Sequence, residues 1–156
     1  AFGGRADLME RYNPLQPNYI GHAGTFNNNV FTMYAGVAGY GKVFTPQAAA
    51  ELSAKGNRLR ERLNKIAAAA SFPMQFTGLG SMMNVHMCPG EITSVRDYRR
   101  SNLVLRDLFY FDLLDQGIWP ARRGMLNLSL PMGEKEFDKL ADAVAHFVEK
   151  RKGLQA

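Results

Sequence analysis

Apolar positions in the second part of the chain recur first with a helical period and then with a strand period. Ala49, Leu52, Gly56, Leu59, Leu63 and Ile66 form one helical stripe. Thr45 suits an N-cap and Pro46 the first helical residue, and Pro73 closes the region. The period then shortens. Residues 74–77, closed by Gly78 and Gly80, and residues 82–87, ended by Pro89-Gly90, predict two short strands. A helix is predicted over 98–116, with Leu105, Leu108, Phe109 and Leu113 as its core face and Gly117 as its C′ residue. Residues 118–120 and 125–130 predict two more strands, split by Ala121-Arg122-Arg123-Gly124. The last helix is predicted over 134–152. Phe137, Leu140, Ala141, Val144, Phe147 and Val148 are its apolar face, and Glu134 and Glu136 favour its start.

The first part reads differently. Residues 6–12 predict a short helical turn, and Asn13, Pro14, Pro17 and Asn18 break regular structure. Residues 21–29 predict a polar loop. A helix follows over 30–40, and its small residues Ala35, Gly36, Ala38 and Gly39 suggest burial against a close neighbour. From residue 45 the order is helix, two strands, helix, two strands, helix. That is an α+β pattern, with helices on a small, mostly antiparallel sheet. There is no internal repeat.

Composition narrows the classes. The 156 residues are 46% hydrophobic, enough for a real core. No run approaches the roughly 20 apolar residues of a membrane span, so no membrane partner is expected. The formal charge of +5 invites a nucleic-acid partner. No binding motif accompanies it. Arg58, Arg60, Glu61, Arg62 and Lys65 read as a solvated helix face, and Lys150, Arg151 and Lys152 as cations at a helix end. Cys88 is the single cysteine, so a reducing compartment, the cytoplasm, is the simpler expectation. His22, His86 and His146 lie far apart, with no metal-ligand spacing. His22 and His86 read as structural groups, Cys88 as no nucleophile, and Met82, Met83 and Met87 as adaptable packing.

Two places could carry chemistry. In Gly21-His22-Ala23-Gly24-Thr25-Phe26-Asn27-Asn28-Asn29, small residues and a threonine precede a helix. Backbone N–H groups there, with a threonine hydroxyl, suit an anion. The plainer reading is a capped turn, with Thr25 or Asn27 as N-cap. Arg122-Arg123-Gly124 is the second place. A guanidinium offers a two-pronged fork to a carboxylate. The plainer reading is an exposed basic turn, or a pair with a surface acid.

Gly24-Thr25-Phe26 with its following helix resembles the loop of class-III aminotransferases that reaches the pyridoxal 5'-phosphate (PLP) phosphate of the neighbouring subunit. Ala1-Phe2-Gly3-Gly4-Arg5 resembles the segment shortly after that family's PLP lysine. Gly117-Ile118-Trp119, residues 126–131 and the final amphipathic helix resemble its C-terminal domain. The nearest branch is glutamate-1-semialdehyde aminomutase and the β-amino-acid aminotransferases. The family's Gly-Asn-Pro after the threonine is replaced here by Asn27-Asn28-Asn29-Val30.

The resemblance implies a type-I PLP fold. Residues 1–44 would be a remnant of the large PLP-binding domain with the phosphate loop, and 45–156 the C-terminal small domain. It implies a homodimer acting on a small amino or keto acid by transamination or an internal amino shift. Gly24, Thr25 and Phe26 would bind the cofactor. Arg123, and next Arg122, would bind the substrate carboxylate. The Schiff-base lysine would lie upstream, since Lys42, Lys55 and Lys65 fall on helices or their ends, so the chain alone would be inactive and would not hold PLP covalently. The alternative is a stand-alone α+β interaction domain without catalytic activity. If the first segment belongs to a larger sheet, Phe2, Phe31 and Met33 should be exposed.

Overall fold

The computed structural model describes residues 2–27 and 29–154. Ala1 of the opening motif and Asn28 of the polar loop lie outside the described residues. The chain divides into two compact units, Ala1–Val43 and Phe44–Ala156.

The second unit holds the core. Helix α3 (Pro46–Ala69) starts at Thr45, whose hydroxyl accepts from the Ala48 N–H at 3.2 Å. Its stripe buries Leu52, Gly56, Leu59, Leu63 and Ala67. Gly56 is there for contact. A Cβ at this position would lie 2.1 Å from the Gly80 carbonyl oxygen, so the helix rests directly on the strand turn. Strands β1 (Gln75–Leu79), β2 (Met82–His86) and β3 (Met125–Asn127) form a three-stranded antiparallel sheet in the order β1-β2-β3. Asn64 of α3 closes part of the β1 edge. Its amide nitrogen donates to the Phe76 carbonyl at 3.0 Å, and its carbonyl oxygen accepts from the Phe76 N–H at 2.7 Å. Occupied edge groups cannot pair with a foreign strand.

Helix α6 (Glu134–Arg151) lays Phe137, Leu140, Ala141, Val144, Phe147 and Val148 into the core. Phe109 and Phe147 meet edge to face at 5.1 Å between ring centres. The helix begins at Gly133, whose N–H donates to the Glu136 carboxylate at 2.8 Å. Lys150 and Arg151 were expected to face the last carbonyls of the helix. Both reach the buried Asp112 carboxylate at 2.9 Å.

Two predicted elements are corrected. The helix expected over 98–116 is two helices, α4 (Val95–Tyr98) and α5 (Leu103–Asp115). The break is made by long-range bonds. The Ser101 hydroxyl accepts from the Met87 N–H at 2.8 Å, and the Asn102 N–H donates to the Met87 carbonyl at 2.8 Å. Asn102 then caps α5 by accepting from the Leu105 N–H at 3.0 Å. Residues 118–120 form no strand. Gly117, with φ +68°, ends α5 in a Schellman motif, closed by Ile118 N–H to Leu113 carbonyl at 2.9 Å. The following residues do not join the sheet.

The first unit contains α1 (Ala6–Met9), a 3-10 turn (Glu10–Tyr12), α2 (Val30–Ala38) and a π-helical turn (Gly39–Val43). None of its described residues is buried. The burial suggested for α2 by its small residues is therefore not found within this chain. Gly36 and Gly39 face open space on every side a Cβ would occupy. Phe2, Phe31 and Met33 are exposed, as expected.

Candidate functional site

The candidate loop lies in the first unit and the candidate arginine turn in the second. In the loop, residues 24–27 form a tight turn, with the Asn27 N–H donating to the Gly24 carbonyl at 2.9 Å. A Cβ on Gly24 would lie 2.9 Å from Asn27 Oδ1, so Gly24 lets the Asn27 side chain fold over the turn. His22 supports the loop from behind. Its Nε2 lies 3.4 Å from Asn27 Nδ2, and its ring meets those of Phe2 and Tyr12 edge to face. Neither Thr25 nor Asn27 caps α2. Asn29 does, accepting from the Thr32 N–H at 3.2 Å. Only the residue directly before the helix has the extended backbone that aims a side chain at those N–H groups.

That leaves Thr25 unused. Among the described residues, its hydroxyl has no partner, and the N–H groups of Thr25 and Phe26 have no acceptor. Gly24, Thr25 and Phe26 are all exposed. Two backbone donors and a hydroxyl on a loop pinned at Gly24 and Asn29 fit a phosphate oxygen set.

The arginine turn is built on Gly124. The Gly124 N–H donates to the Ala121 carbonyl at 2.8 Å, and the Val85 N–H donates to the Gly124 carbonyl at 2.9 Å. Gly124 has φ +95°, and a Cβ there would lie 3.0 Å from both the Val85 carbonyl oxygen and Val85 Cγ1. Only glycine fits this backbone.

The two arginines on this turn differ. Arg122 Nη2 meets Asp107 Oδ2 at 2.7 Å, and its guanidinium carbon lies 5.6 Å from the centre of the Phe111 ring. The hydrogen bond from Arg122 is the main reason the Asp107 carboxyl is held below the ordinary carboxylate range. Arg123 is exposed and has no carboxylate partner among the described residues. Its Nη2 reaches only Met125 Sδ, at 3.5 Å. The surface-pair reading thus describes Arg122, while Arg123 is exposed on the turn with no carboxylate partner among the described residues.

A chain of polar contacts leads from beside the turn to the buried His86. Arg106, whose Cδ would lie 3.3 Å from a Cβ on Gly124, donates from Nη1 to the Tyr98 hydroxyl at 2.7 Å. Tyr98 meets the buried His86 ring edge to face, and His86 Nε2 lies 2.8 Å from Thr77 Oγ1. Burial, and then the charge of Arg106, lower the His86 pKa. Cys88 is buried and its thiol is pushed up, chiefly by burial, which argues against a nucleophile. On the other side of the turn, a cavity of about 370 Å³ is lined by Ile118, Trp119, Met125, Leu126, Phe137 and Leu140 among others. Trp119 is 87% exposed.

Asp107 and Phe111 were not legible as site residues. Their one signal is spacing: they stand four apart on α5, off the face that carries Leu105, Phe109 and Leu113.

No family model matches the chain. Over 148 residues it is 45% identical to the β-phenylalanine transaminase of Variovorax paradoxus, covering 95% of this chain and 34% of that protein. Over most of its length the chain is homologous to one part of class-III aminotransferases. It is also 30% identical over 152 residues to a glutamate-1-semialdehyde 2,1-aminomutase of Bacillus pumilus, covering 96% of this chain and 35% of the relative. The crystal structure of the Variovorax enzyme superposes with a TM-score of 0.90 at 43% identity, over 97% of this chain and 35% of that one. A solved transaminase with PLP bound superposes with a TM-score of 0.78 at 25% identity, over 97% of this chain and 35% of that one. This chain spans about a third of the length of the relatives it matches. The expected fold class is found: helices on a small antiparallel sheet, as in the corresponding part of type-I PLP enzymes. Among the described residues, no helix is long and apolar enough to cross a membrane.

Proposed function

We propose that this chain is the part of a PLP-dependent aminotransferase or aminomutase that supplies the phosphate loop and the carboxylate-binding arginine. Residues 1–44 serve as an edge of the large domain, and residues 45–156 as the small domain. The assembly is a cytoplasmic homodimer, and the chain alone is inactive because the lysine that holds the cofactor lies outside it. The exposed guanidinium of Arg123, without a carboxylate partner among the described residues and on a turn that only Gly124 can make, carries this reading. The likeness to a β-phenylalanine transaminase supports a carboxylate-bearing amino acid as substrate.

PLP, when bound, supplies the electron sink for amino-group chemistry. This chain's residues do the holding. The Thr25 hydroxyl and the N–H groups of Thr25 and Phe26 take phosphate oxygens, with Gly24 shaping the turn. Arg123 takes the substrate carboxylate through a charge-assisted pair of hydrogen bonds and so orients the amino group. Arg122 stays in its ion pair.

The test is Arg123→Ala in the full-length, PLP-loaded protein. KM for the amino acid should rise roughly 10- to 100-fold, while an amine lacking a carboxylate is unaffected. Thr25→Ala should weaken PLP binding by roughly tenfold in a fluorescence titration. An unchanged KM in Arg123→Ala would refute the carboxylate role.

The stand-alone interaction domain is the second reading. A full-length protein without PLP absorbance would select it.

A further inference from the structure

Gly124, on which the Arg123 turn is built, rests on two supports. One is Val85 of β2, whose N–H donates to the Gly124 carbonyl at 2.9 Å and whose carbonyl oxygen would lie 3.0 Å from a Cβ on Gly124. The other is the stem of Arg106 on α5, with Cδ 3.3 Å from the same point. The first support is largely backbone and is held in the sheet. The second is a long side chain, so its place depends on what holds its head. Among the described residues, the Tyr98 hydroxyl is the one acceptor for this guanidinium, taking Nη1 at 2.7 Å, and Arg106 Nε is buried without a partner. Tyr98 is itself fixed from two sides. Its ring meets the buried His86 edge to face at 5.7 Å, and its carbonyl accepts from the Ser101 N–H at 3.0 Å. Ser101 in turn accepts from the Met87 N–H at 2.8 Å. Val85, His86 and Met87 are consecutive, so one stretch of chain holds the turn directly and, through Tyr98, its second support.

We propose that Tyr98 is a positioning residue for Arg123: its hydroxyl holds the Arg106 stem under Gly124 and so fixes the backbone from which Arg123 reaches a substrate carboxylate. The proposal rests on the reading of Arg123 as the carboxylate-binding residue. A charged head that loses its one acceptor turns toward water or another partner, and the stem follows it. The floor of the turn then loosens. Small displacements of a positioning group are enough to weaken a bound geometry. The effect is confined to the backbone of the turn. The Arg123 side chain stays exposed and free to change rotamer on it.

The test is Tyr98→Phe in the full-length, PLP-loaded protein. The change removes one hydroxyl and leaves a ring of the same shape against His86. KM for the amino acid should rise roughly 3- to 10-fold, the scale of one lost hydrogen bond, while KM for an amine lacking a carboxylate stays the same. Arg106→Ala should raise the amino-acid KM at least as far. Tyr98→Phe added to Arg106→Ala should then change nothing further, because Tyr98 acts through Arg106. A merely structural role for Tyr98 would shift both substrates together, and its effect would add to that of Arg106→Ala. Either of those results, or an unchanged amino-acid KM in Tyr98→Phe, overturns the proposal. If Arg123→Ala raises that KM and Tyr98→Phe does not, the carboxylate reading stands and this proposal falls alone. If Arg123→Ala leaves it unchanged, both fall.

Discussion

The two units use apolar residues in opposite ways. In Phe44–Ala156, Leu63, Val85, Phe109, Leu113, Val144 and Phe147 are closed off almost completely from solvent. In Ala1–Val43, Phe31, Tyr34 and Val37 are each more than 70% exposed. Both regions contain helices with apolar side chains, so helix formation alone does not separate them. What separates them is a sheet. The second unit has three strands whose inner face needs covering, and α3, α5 and α6 cover it. The first unit has no strand among its described residues, and α2 carries apolar residues on most of its surface. A helix that is apolar all round finds its stability in neighbours, not in its own hydrogen bonds.

This contrast can be broken at Gly56. Gly56→Ala puts a methyl group where backbone atoms of Gly80 and Ser81 already lie. Neither can move without displacing the β1–β2 turn. The variant should lose about 3 kcal/mol or more in urea unfolding. A loss below about 1 kcal/mol would mean that α3 and the sheet are less tightly joined than this contact requires.

Asp112 gives a smaller effect with a pH signature. Burial works to raise its carboxyl, but Arg151 and Lys150 outweigh burial and hold it below the ordinary carboxylate range. Its stabilising contribution is therefore fully present above the unfolded carboxylate value and is lost as pH falls through the lower folded value. Asp112→Ala should cost about 2 kcal/mol at neutral pH. The gap from the wild type should close only in strong acid, as followed by thermal unfolding between neutral pH and pH values below the ordinary carboxylate range. A gap already closed at pH 5 would contradict the clamp.

The smallest effect belongs to the first unit. Phe31→Ser removes a ring that is 85% exposed and contacts no core. Unfolding of this chain should shift by less than about 0.5 kcal/mol. The same change in the full-length protein sharpens the comparison. If a larger domain covers α2 there, the cost should rise to about 2 kcal/mol.

Much of this was legible locally. The Thr45 cap, the stripe of α3, the apolar face of α6 and the Gly117 stop are decided within a few residues of chain, where period and capping chemistry act. The candidate site was legible as residue types: a threonine before a helix and a pair of arginines before a glycine. The break at Ser101-Asn102 was not, because it depends on the backbone of Met87, 14 residues away in sequence for the Ser101 hydroxyl. The assignment of Arg122 and Arg123 to different roles was not legible either.

The sequence by itself determined where α3 and α6 start, which of their faces are apolar, and which residues have the chemistry to hold an anion. Those properties follow from neighbours along the chain. Only the tertiary structure decided that Lys150 and Arg151 close on Asp112, that Asn64 occupies the edge of β1, and that Asp107 takes Arg122 and not Arg123. Each of these pairs a charge or a backbone group with one distant in sequence. Charge and hydrogen-bonding groups name what a residue can bind, and only the packing of helices on the sheet brings one candidate partner within reach.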